Sequence, residues 1–479
     1  MRRIAIIGGG ISGLSAAHAL EQQRLNSAPI EYVVYESSAR LGGVLVTETV
    51  DGCLVEAGPD SFLTEKPWAT DLCKQIGLGD QLIGSNDVDR KTYILTNGKL
   101  VVMPDGLMFM VPTKILPTVL SPLFSMSTKL RMAREWFHPP RKADRDETVA
   151  DLVRRHYGPE MVDRLADPLL SGVYGGEADQ LSVRAVLPRF AEMESKHGSL
   201  GRAMLASRKK MASATKGPAR PLFTSLKNGM QQLVDELLKN LPGNSLLRNV
   251  SVTAIQPQAD GWTISAGYSS DHFKAVILAV PTQNAASMLQ LSSPALSREL
   301  AEIRYSSSIT VTLGFDASVR KSLPPGFGFL VPRSEGKRML ACTFVHNKFP
   351  HRAPEDRALI RCFLGGARDE KMLDASDNEI LETAIRELRE ILGIQAKPLF
   401  ARVYRWGGAM AQYGVGHLER LDRIERLRKD APGLFLAGNG YRGIGVPDCV
   451  RSGIEAASGS LSYLGLADAQ GAAQFSHSR

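Results

Sequence analysis

The chain of 479 residues contains no run of eighteen or more apolar residues. That excludes a membrane-spanning helix formed from one continuous stretch. Its five cysteines (Cys53, Cys73, Cys342, Cys362 and Cys449) are scattered, and none forms a C-x-x-C pair. Such spacing argues against a disulfide framework and a thiolate zinc site and predicts buried free thiols. The nine histidines form no H-E-x-x-H or H-x-H pattern, and G-x-S-x-G is absent. Metal-centred and serine-hydrolase chemistries therefore lack their signatures, and His18 and His417 are expected to be packing or surface residues. The apolar run after Met1-Arg2-Arg3 is only IAII. It is shorter than the core of an export signal, which predicts a cytoplasmic chain.

Acidic residues are missing from one long segment. Between Lys196 and Val234 lie Lys196, Arg202, Arg208, Lys209, Lys210, Lys216, Arg220 and Lys227, with no Asp or Glu. Those eight cations equal the whole net charge of +8, so the rest of the chain is balanced. Such a stretch attracts anionic lipid or an acidic substrate, while MASATKGPAR within it reads as a solvated mobile loop. No aromatic residue interleaves its core, which predicts no nucleic-acid partner.

What is present begins at the N-terminus. RIAIIGG, Arg3 to Gly9, reads as a buried parallel strand and leads into Gly8-x-Gly10-x-x-Gly13. A helical pattern follows, then the strand EYVVYE ending at Glu36, 23 residues past Gly13. Strand, glycines, helix, strand and terminal acid together form the dinucleotide-binding βαβ fingerprint. The glycines admit a pyrophosphate to the backbone of Gly8, Gly9, Gly10, Ile11, Ser12 and Gly13, and the helix start supplies N–H donors. Glu36 is positioned to accept from a ribose diol. A second glycine loop, GNGYRGIGVPDCV, carries Gly438 and Gly445 and opens onto a helical pattern with Val446, Pro447 and Asp448 at its start. Proline and aspartate both suit a first helical turn.

Hairpins are expected at Asp51-Gly52, Asn97-Gly98 and Asp260-Gly261. HFKAVILAVP, His272 to Pro281, reads as one buried strand, and GLFLAG, Gly433 to Gly438, as another. Ser376-x-x-Glu379 predicts a capped helix start, with Gly393 as its stop. The expected fold is α/β (α+β overall): a discontinuous Rossmann-like dinucleotide-binding domain, a mixed-sheet substrate domain and a helical domain. The dinucleotide-binding segments are 1–57, 221–290 and 400–466, the substrate-binding segments 58–99 and 291–399. The helical domain is 100–220, and 467–479 is a flexible tail.

Arg40-Leu41-Gly42-Gly43, just past Glu36, resembles the FAD-dependent amine oxidase and desaturase superfamily. GPDSFL (Gly58 to Leu63), PLLSGVYGGEADQLSVRAVLP (Pro168 to Pro188), GFGFLVP (Gly326 to Pro332) and VPDCVRSGIEAA resemble, in order and over Arg3 to Leu466, the protoporphyrinogen and coproporphyrinogen oxidase family. Similarity is greatest to its soluble bacterial branch. The resemblance implies a porphyrinogen (tetrapyrrole) substrate dehydrogenated by six electrons in haem biosynthesis, with O2 reduced to H2O2. It implies FAD contacts at Gly8, Gly10, Gly13, Glu36, Ser37, Arg40, Gly42, Gly43, Gly58, Pro59, Asp60, Ser61, Val252, Trp406 and Val446 to Asp448. It also implies a substrate pocket lined by Phe327, Leu330 and Phe363. Where animal and plant relatives carry an arginine in this glycine–proline loop, Asp60 stands. Lys66, Arg90 and Lys91 are candidate replacements for its charge, and a substrate with four carboxylates fits the change. No catalytic acid or base is assigned.

Two other readings remain open. One is an amine oxidase or carotenoid desaturase of the same superfamily, although Tyr441 stands alone in the C-terminal loop. The other is a peripheral membrane or partner-binding flavoprotein, drawn from the Pro-interrupted apolar stretch Leu107 to Phe137 with basic residues at its end. A helical domain covering the substrate cleft is the competing reading of that stretch.

Overall fold

The computed structural model describes residues 1–108, 110–141, 145–214, 220–267 and 269–466. The tail expected over 467–479 lies outside the described residues.

The strand β1 (Arg2–Ile7) pairs in parallel with β2 (Ile30–Tyr35), from Arg2 opposite Ile30 to Ile7 opposite Tyr35. The helix α1 (Ile11–Leu25) makes the crossover. The complete sheet runs Leu246–Leu247, β2, β1, Ala275–Leu278 and Leu434–Leu436, with every pair parallel. Both of its faces are buried, which explains the near-continuous apolar sequence of its central strands. Ile4 and Ile6 pack with Leu14, Leu20 and Leu233 on one side. Ala5 and Ile7 pack with Trp262, Ile264 and Phe273 of a three-stranded antiparallel sheet on the other.

HFKAVILAVP is not one strand. Ser269–Phe273 pairs antiparallel with Gly261–Ala266, whereas Ala275–Leu278 pairs with β1. The chain changes sheets at Lys274, whose N–H donates to the Arg3 carbonyl at 2.8 Å. Phe273 is buried at the end of the first piece and Ala275–Leu278 throughout the second, so the apolar residues flank Lys274 closely enough to read as one strand.

A second sheet of seven strands runs Phe400–Ala411, Tyr305–Asp316, Arg357–Gly365, Ala341–Phe344, Gly328–Leu330, Thr92–Thr96 and Lys99–Val102. Gly328–Leu330 and Thr92–Thr96 form its parallel pair, and the rest is antiparallel. The sheet therefore crosses the boundaries expected at 99/100 and 399/400. Helix Asp377–Leu392 covers one face with Ile380, Ala384 and Leu388. It starts where Ser376 Oγ accepts from the Glu379 N–H and stops at Gly393 in the left-handed region. The expected hairpin turns join Thr47–Val50 to Cys53–Glu56, Thr92–Thr96 to Lys99–Val102 and Val252–Gln258 to Gly261–Ala266.

Helices dominate from Ile115 to Ala214. Their core gathers Tyr157, Leu165, Phe190 and Leu200 around a buried charged group. His156 lies 3.1 Å from both Glu135 and Glu194, and Arg155 pairs with Glu194. Leu200–Ala214 is helical, so the basic segment is not a loop up to that point; residues 215–219 lie outside the described residues. Leu116, Val119, Leu120, Met126, Leu130 and Phe137 are exposed. Among the described residues no helix is long and apolar enough to cross a membrane. All five cysteines are free and buried.

Candidate active site

The first glycine loop is shaped by close backbone approaches. A Cβ on Gly13 would lie 1.9 Å from the Gly8 carbonyl oxygen, so α1 can start against β1 only if residue 13 is glycine. Gly8 itself, at φ +107°, leaves no room for a side chain beside Ala279. Gly10 differs: a Cβ there would meet nothing within 4 Å. No side chain caps α1, and the N–H groups of its first turn have no intrahelical acceptor. The loop thus presents uncapped donors and the positive end of a helix dipole next to open space. That donor set fits the pyrophosphate of a dinucleotide cofactor.

Glu36 ends β2. Its Oε2 accepts from Gly9 N at 2.8 Å, and its Oε1 accepts from Ser38 N and Ser38 Oγ, both at 2.8 Å. The carboxylate is therefore oriented by its own loop while keeping lone pairs for a diol. Ser37 is exposed beside it. Val250 N donates to the Glu36 carbonyl at 2.9 Å, which brings the start of the strand bearing Val252 to the same end of the sheet. Arg40 turns back on its loop and donates to the carbonyls of Leu41 (2.9 Å), Gly43 and Leu45 (3.1 Å). Gly42 N donates to the Gly9 carbonyl at 2.7 Å and joins the two glycine segments. Gly43 lies against Gly10.

The second loop, Gly438 to Gly445, leads from Leu434–Leu436 into the helix Val446–Tyr463. Tyr413 ties it together: its hydroxyl donates to the Asn439 carbonyl at 2.6 Å and accepts from Gly443 N at 2.9 Å. His417 stacks on that ring at 4.1 Å, with Nε2 2.9 Å from the Tyr441 carbonyl. His417 and His18 are both buried packing residues. Asp448, in the first helical turn, accepts from Gly445 N at 3.3 Å and from Lys66 Nζ at 2.6 Å. This helix crosses α1 so closely that a Cβ on Gly453 would lie 2.1 Å from the Ser12 carbonyl oxygen. Val446 lies seven residues before that crossing, roughly 10 Å along the axis. A second helix start, with Pro447 in its first turn and Asp448 bonded back to the N-cap backbone, is thereby held on the same fold as the first.

Between these loops runs the turn Gly58-Pro59-Asp60-Ser61, which is braced from below. The Ala57 carbonyl accepts from Trp406 Nε1 at 2.9 Å and Thr310 Oγ1 at 2.8 Å. Arg361 donates to the carbonyls of Ala57 (3.3 Å) and Gly58, and Arg352 to that of Asp60 at 2.9 Å. Lys348 Nζ lies 3.1 Å from both Asp60 carboxylate oxygens and from Ser61 Oγ. Burial alone would raise the Asp60 pKa. Lys348, Arg361, Arg352 and the Ser61 hydroxyl outweigh it and hold the carboxyl well below the usual range. Burial pushes Glu56 up, against Arg352 at 3.0 Å. Lys348, Arg352 and Arg361 carry no motif, and sequence reasoning missed them. The available signal was an arginine inside LIRCFLG, an otherwise apolar strand.

The candidate substrate residues divide. Leu330 and Phe363 both face Ala341 across neighbouring strands, and Phe363 in turn faces Thr310. Directly opposed residues share a sheet face, so these lie on the face that braces the turn. Leu330 also reaches the helical core beside Gly172. Phe327 precedes the strand, between Gly326 and Gly328 at φ +121° and +139°, and stands outside that row. Lys66 is engaged by Asp448, Arg90 pairs with Asp87 at 3.7 Å, and Lys91 is exposed. Among the described residues no cluster of His, Cys, Asp and Glu could hold a metal ion.

Residues 11–459 match the family model described as flavin containing amine oxidoreductase. The chain is 36% identical over 468 residues to the coproporphyrinogen III oxidase of Bacillus subtilis (strain 168), covering 97% of this chain and 98% of the relative. It is 33% identical to the coproporphyrinogen III oxidase of Propionibacterium freudenreichii subsp. freudenreichii, covering 93% and 88%. Its fold superposes on a crystal structure from Exiguobacterium sp. 255-15, provisionally assigned as a protoporphyrinogen oxidase. The TM-score is 0.85 at 30% identity, covering 97% of this chain and 99% of the other.

Proposed function

This chain belongs to the flavin-containing amine oxidoreductase family, and we propose that it oxidises coproporphyrinogen III to coproporphyrin III in haem biosynthesis. It is an FAD-dependent oxidoreductase of the porphyrinogen oxidase branch. The observation that carries the substrate assignment is the nearly end-to-end similarity to coproporphyrinogen III oxidases. The turn is consistent with it: Asp60, paired with Lys348, stands where animal and plant relatives carry an arginine that can pair with a substrate propionate.

Bound FAD supplies a hydride acceptor that returns electrons to O2. Overall, six electrons and six protons leave the porphyrinogen and three O2 become three H2O2. The chain's own residues bind and orient. The first-turn N–H groups of Ile11 to Gly13 take the pyrophosphate, and Glu36 takes the ribose diol. Gly42, Gly43, Val252 and the turn Gly58 to Ser61 line the cofactor's path. The helix start at Val446 to Asp448 would hold the redox end of the cofactor, where its N–H donors and positive dipole end would stabilise the reduced form. Leu330 and Phe363, both half-buried on one sheet face, offer apolar surface to a flat macrocycle. No side chain of the candidate site stands as a general base.

The exposed Leu116, Leu120, Met126 and Phe137 favour peripheral contact of this cytoplasmic enzyme with a bilayer. Co-sedimentation with anionic liposomes tests it; a protein that stays in the supernatant contradicts it. The oxidase reading itself is tested by adding coproporphyrinogen III to the FAD-loaded protein under air. Red porphyrin fluorescence is expected, and its absence contradicts the reading.

A further inference from the structure

Beneath the Ala57 to Ser61 turn lies a small cavity lined by Leu54, Glu56, Thr312, Arg352, Leu359 and Arg361, with Asp60 at its edge. It has room for about one water-sized particle. Arg352 is fully buried, and Arg361 and Thr312 nearly so. Arg352 Nη2 is occupied by the Asp60 carbonyl, Ser225 Oγ at 2.6 Å and Glu56 at 3.0 Å. Arg352 Nε and Nη1, Arg361 Nε and Thr312 Oγ1 have no partner. Thr312 and Arg361 are directly opposed on neighbouring strands, so their unpaired atoms belong to one wall.

Four unpaired groups around one cavity are costly unless something satisfies them. Three are guanidinium N–H groups, which only donate, and the fourth is a hydroxyl able to donate. Glu56, on the same wall, already takes Met230 N at 2.8 Å, Thr47 Oγ1 at 2.7 Å and Arg352. The charges point the same way. Lys348, Arg352 and Arg361 face Glu56 and Asp60, which leaves one positive charge in excess inside the protein. A water has only two lone pairs for these four donor groups, whereas a small anion can accept from all of them and balances the charge.

We propose that this cavity binds one monovalent halide-sized anion, chloride under ordinary conditions, held by Arg352, Arg361 and Thr312. The ion fixes the two guanidinium groups that brace the carbonyls of Ala57, Gly58 and Asp60. It is thus a structural anion site, and it does not depend on which porphyrinogen is oxidised.

Crystals of the FAD-loaded protein soaked in bromide test the site directly. An anomalous peak within hydrogen-bonding reach of Arg352 Nε and Arg361 Nε is expected. Bromide on the surface with none in the cavity overturns the proposal. In solution, chloride replacing gluconate at constant ionic strength should raise the melting temperature saturably, by about 2 °C. Thr312→Val removes one donor whose loss leaves no partner unpaired, so the variant should fold and lose most of that response. An unchanged response in the variant contradicts the site.

Discussion

Lys66 Nζ donates to Asp448 Oδ2 at 2.6 Å, joining two segments 382 residues apart at the start of the C-terminal helix. Asp448 is almost wholly buried, and its other cationic neighbour, Arg451, is 3.8 Å away. Lys66→Met therefore leaves a buried carboxylate poorly paired. Because Lys66 is more than a third exposed, the loss is expected to be about 1–2 kcal/mol. Urea unfolding of the holoprotein checks the magnitude, and reduced retention of FAD is expected alongside it.

Gly10 and Gly13 separate cofactor space from packing space. A Cβ at position 10 meets nothing, whereas one at position 13 strikes the Gly8 carbonyl. Gly10→Val should leave the melting temperature of the apoprotein nearly unchanged and weaken FAD binding about tenfold or more. Gly13→Val should destabilise the apoprotein itself. Comparing apoprotein melts with FAD titrations distinguishes the two.

The depressed pKa of Asp60 carries a sign. A carboxyl lowered on folding contributes stability that is fully present above its unfolded pKa of about 3.9. That contribution is lost as pH falls from there towards the lowered folded value. Asp60→Asn should cost about 3 kcal/mol at neutral pH by leaving Lys348 unpaired. It should also flatten the acid side of the stability profile, measured by urea midpoints from pH 7 down to the acid transition.

His156 has the opposite sign. Burial alone would lower its pKa, but hydrogen bonds to Glu135 and Glu194 raise it. Its contribution is therefore complete below about pH 6.5 and fades as pH rises through the raised folded value. The same bonds, with Arg155, hold Glu194 down to about 2. His156→Gln should lower stability at neutral pH by about 2 kcal/mol and remove the alkaline slope expected of the wild type. Thermal melts between pH 6 and 9 check this; a parallel slope in both proteins contradicts it.

The parts legible in the sequence are those fixed by neighbours along the chain. Arg3 to Gly13 shows its strand, turn and helix within eleven residues, and Ser376 with Glu379 marks its helix start by a local hydrogen bond. The support beneath the cofactor turn is different. Asp60 meets Lys348, Arg352 and Arg361 only because the Gly58 turn folds against the seven-stranded sheet. No spacing rule links residues nearly three hundred positions apart. Lys66 looked like a free cation for substrate because its partner lies in the last helix. Lys274, a charge inside an apolar run, was the visible mark of the sheet change within HFKAVILAVP.

The central claim is the oxidation of coproporphyrinogen III by the FAD-loaded chain, and competitive turnover under air tests it most directly. With coproporphyrinogen III and protoporphyrinogen IX assayed in parallel and H2O2 measured with the porphyrin, kcat/KM should favour coproporphyrinogen by about tenfold or more, equivalent to about 1.4 kcal/mol of transition-state discrimination. Three H2O2 should appear per porphyrin. Equal or reversed preference would contradict the substrate assignment, and turnover of neither compound by protein carrying its full complement of FAD would contradict the account as a whole.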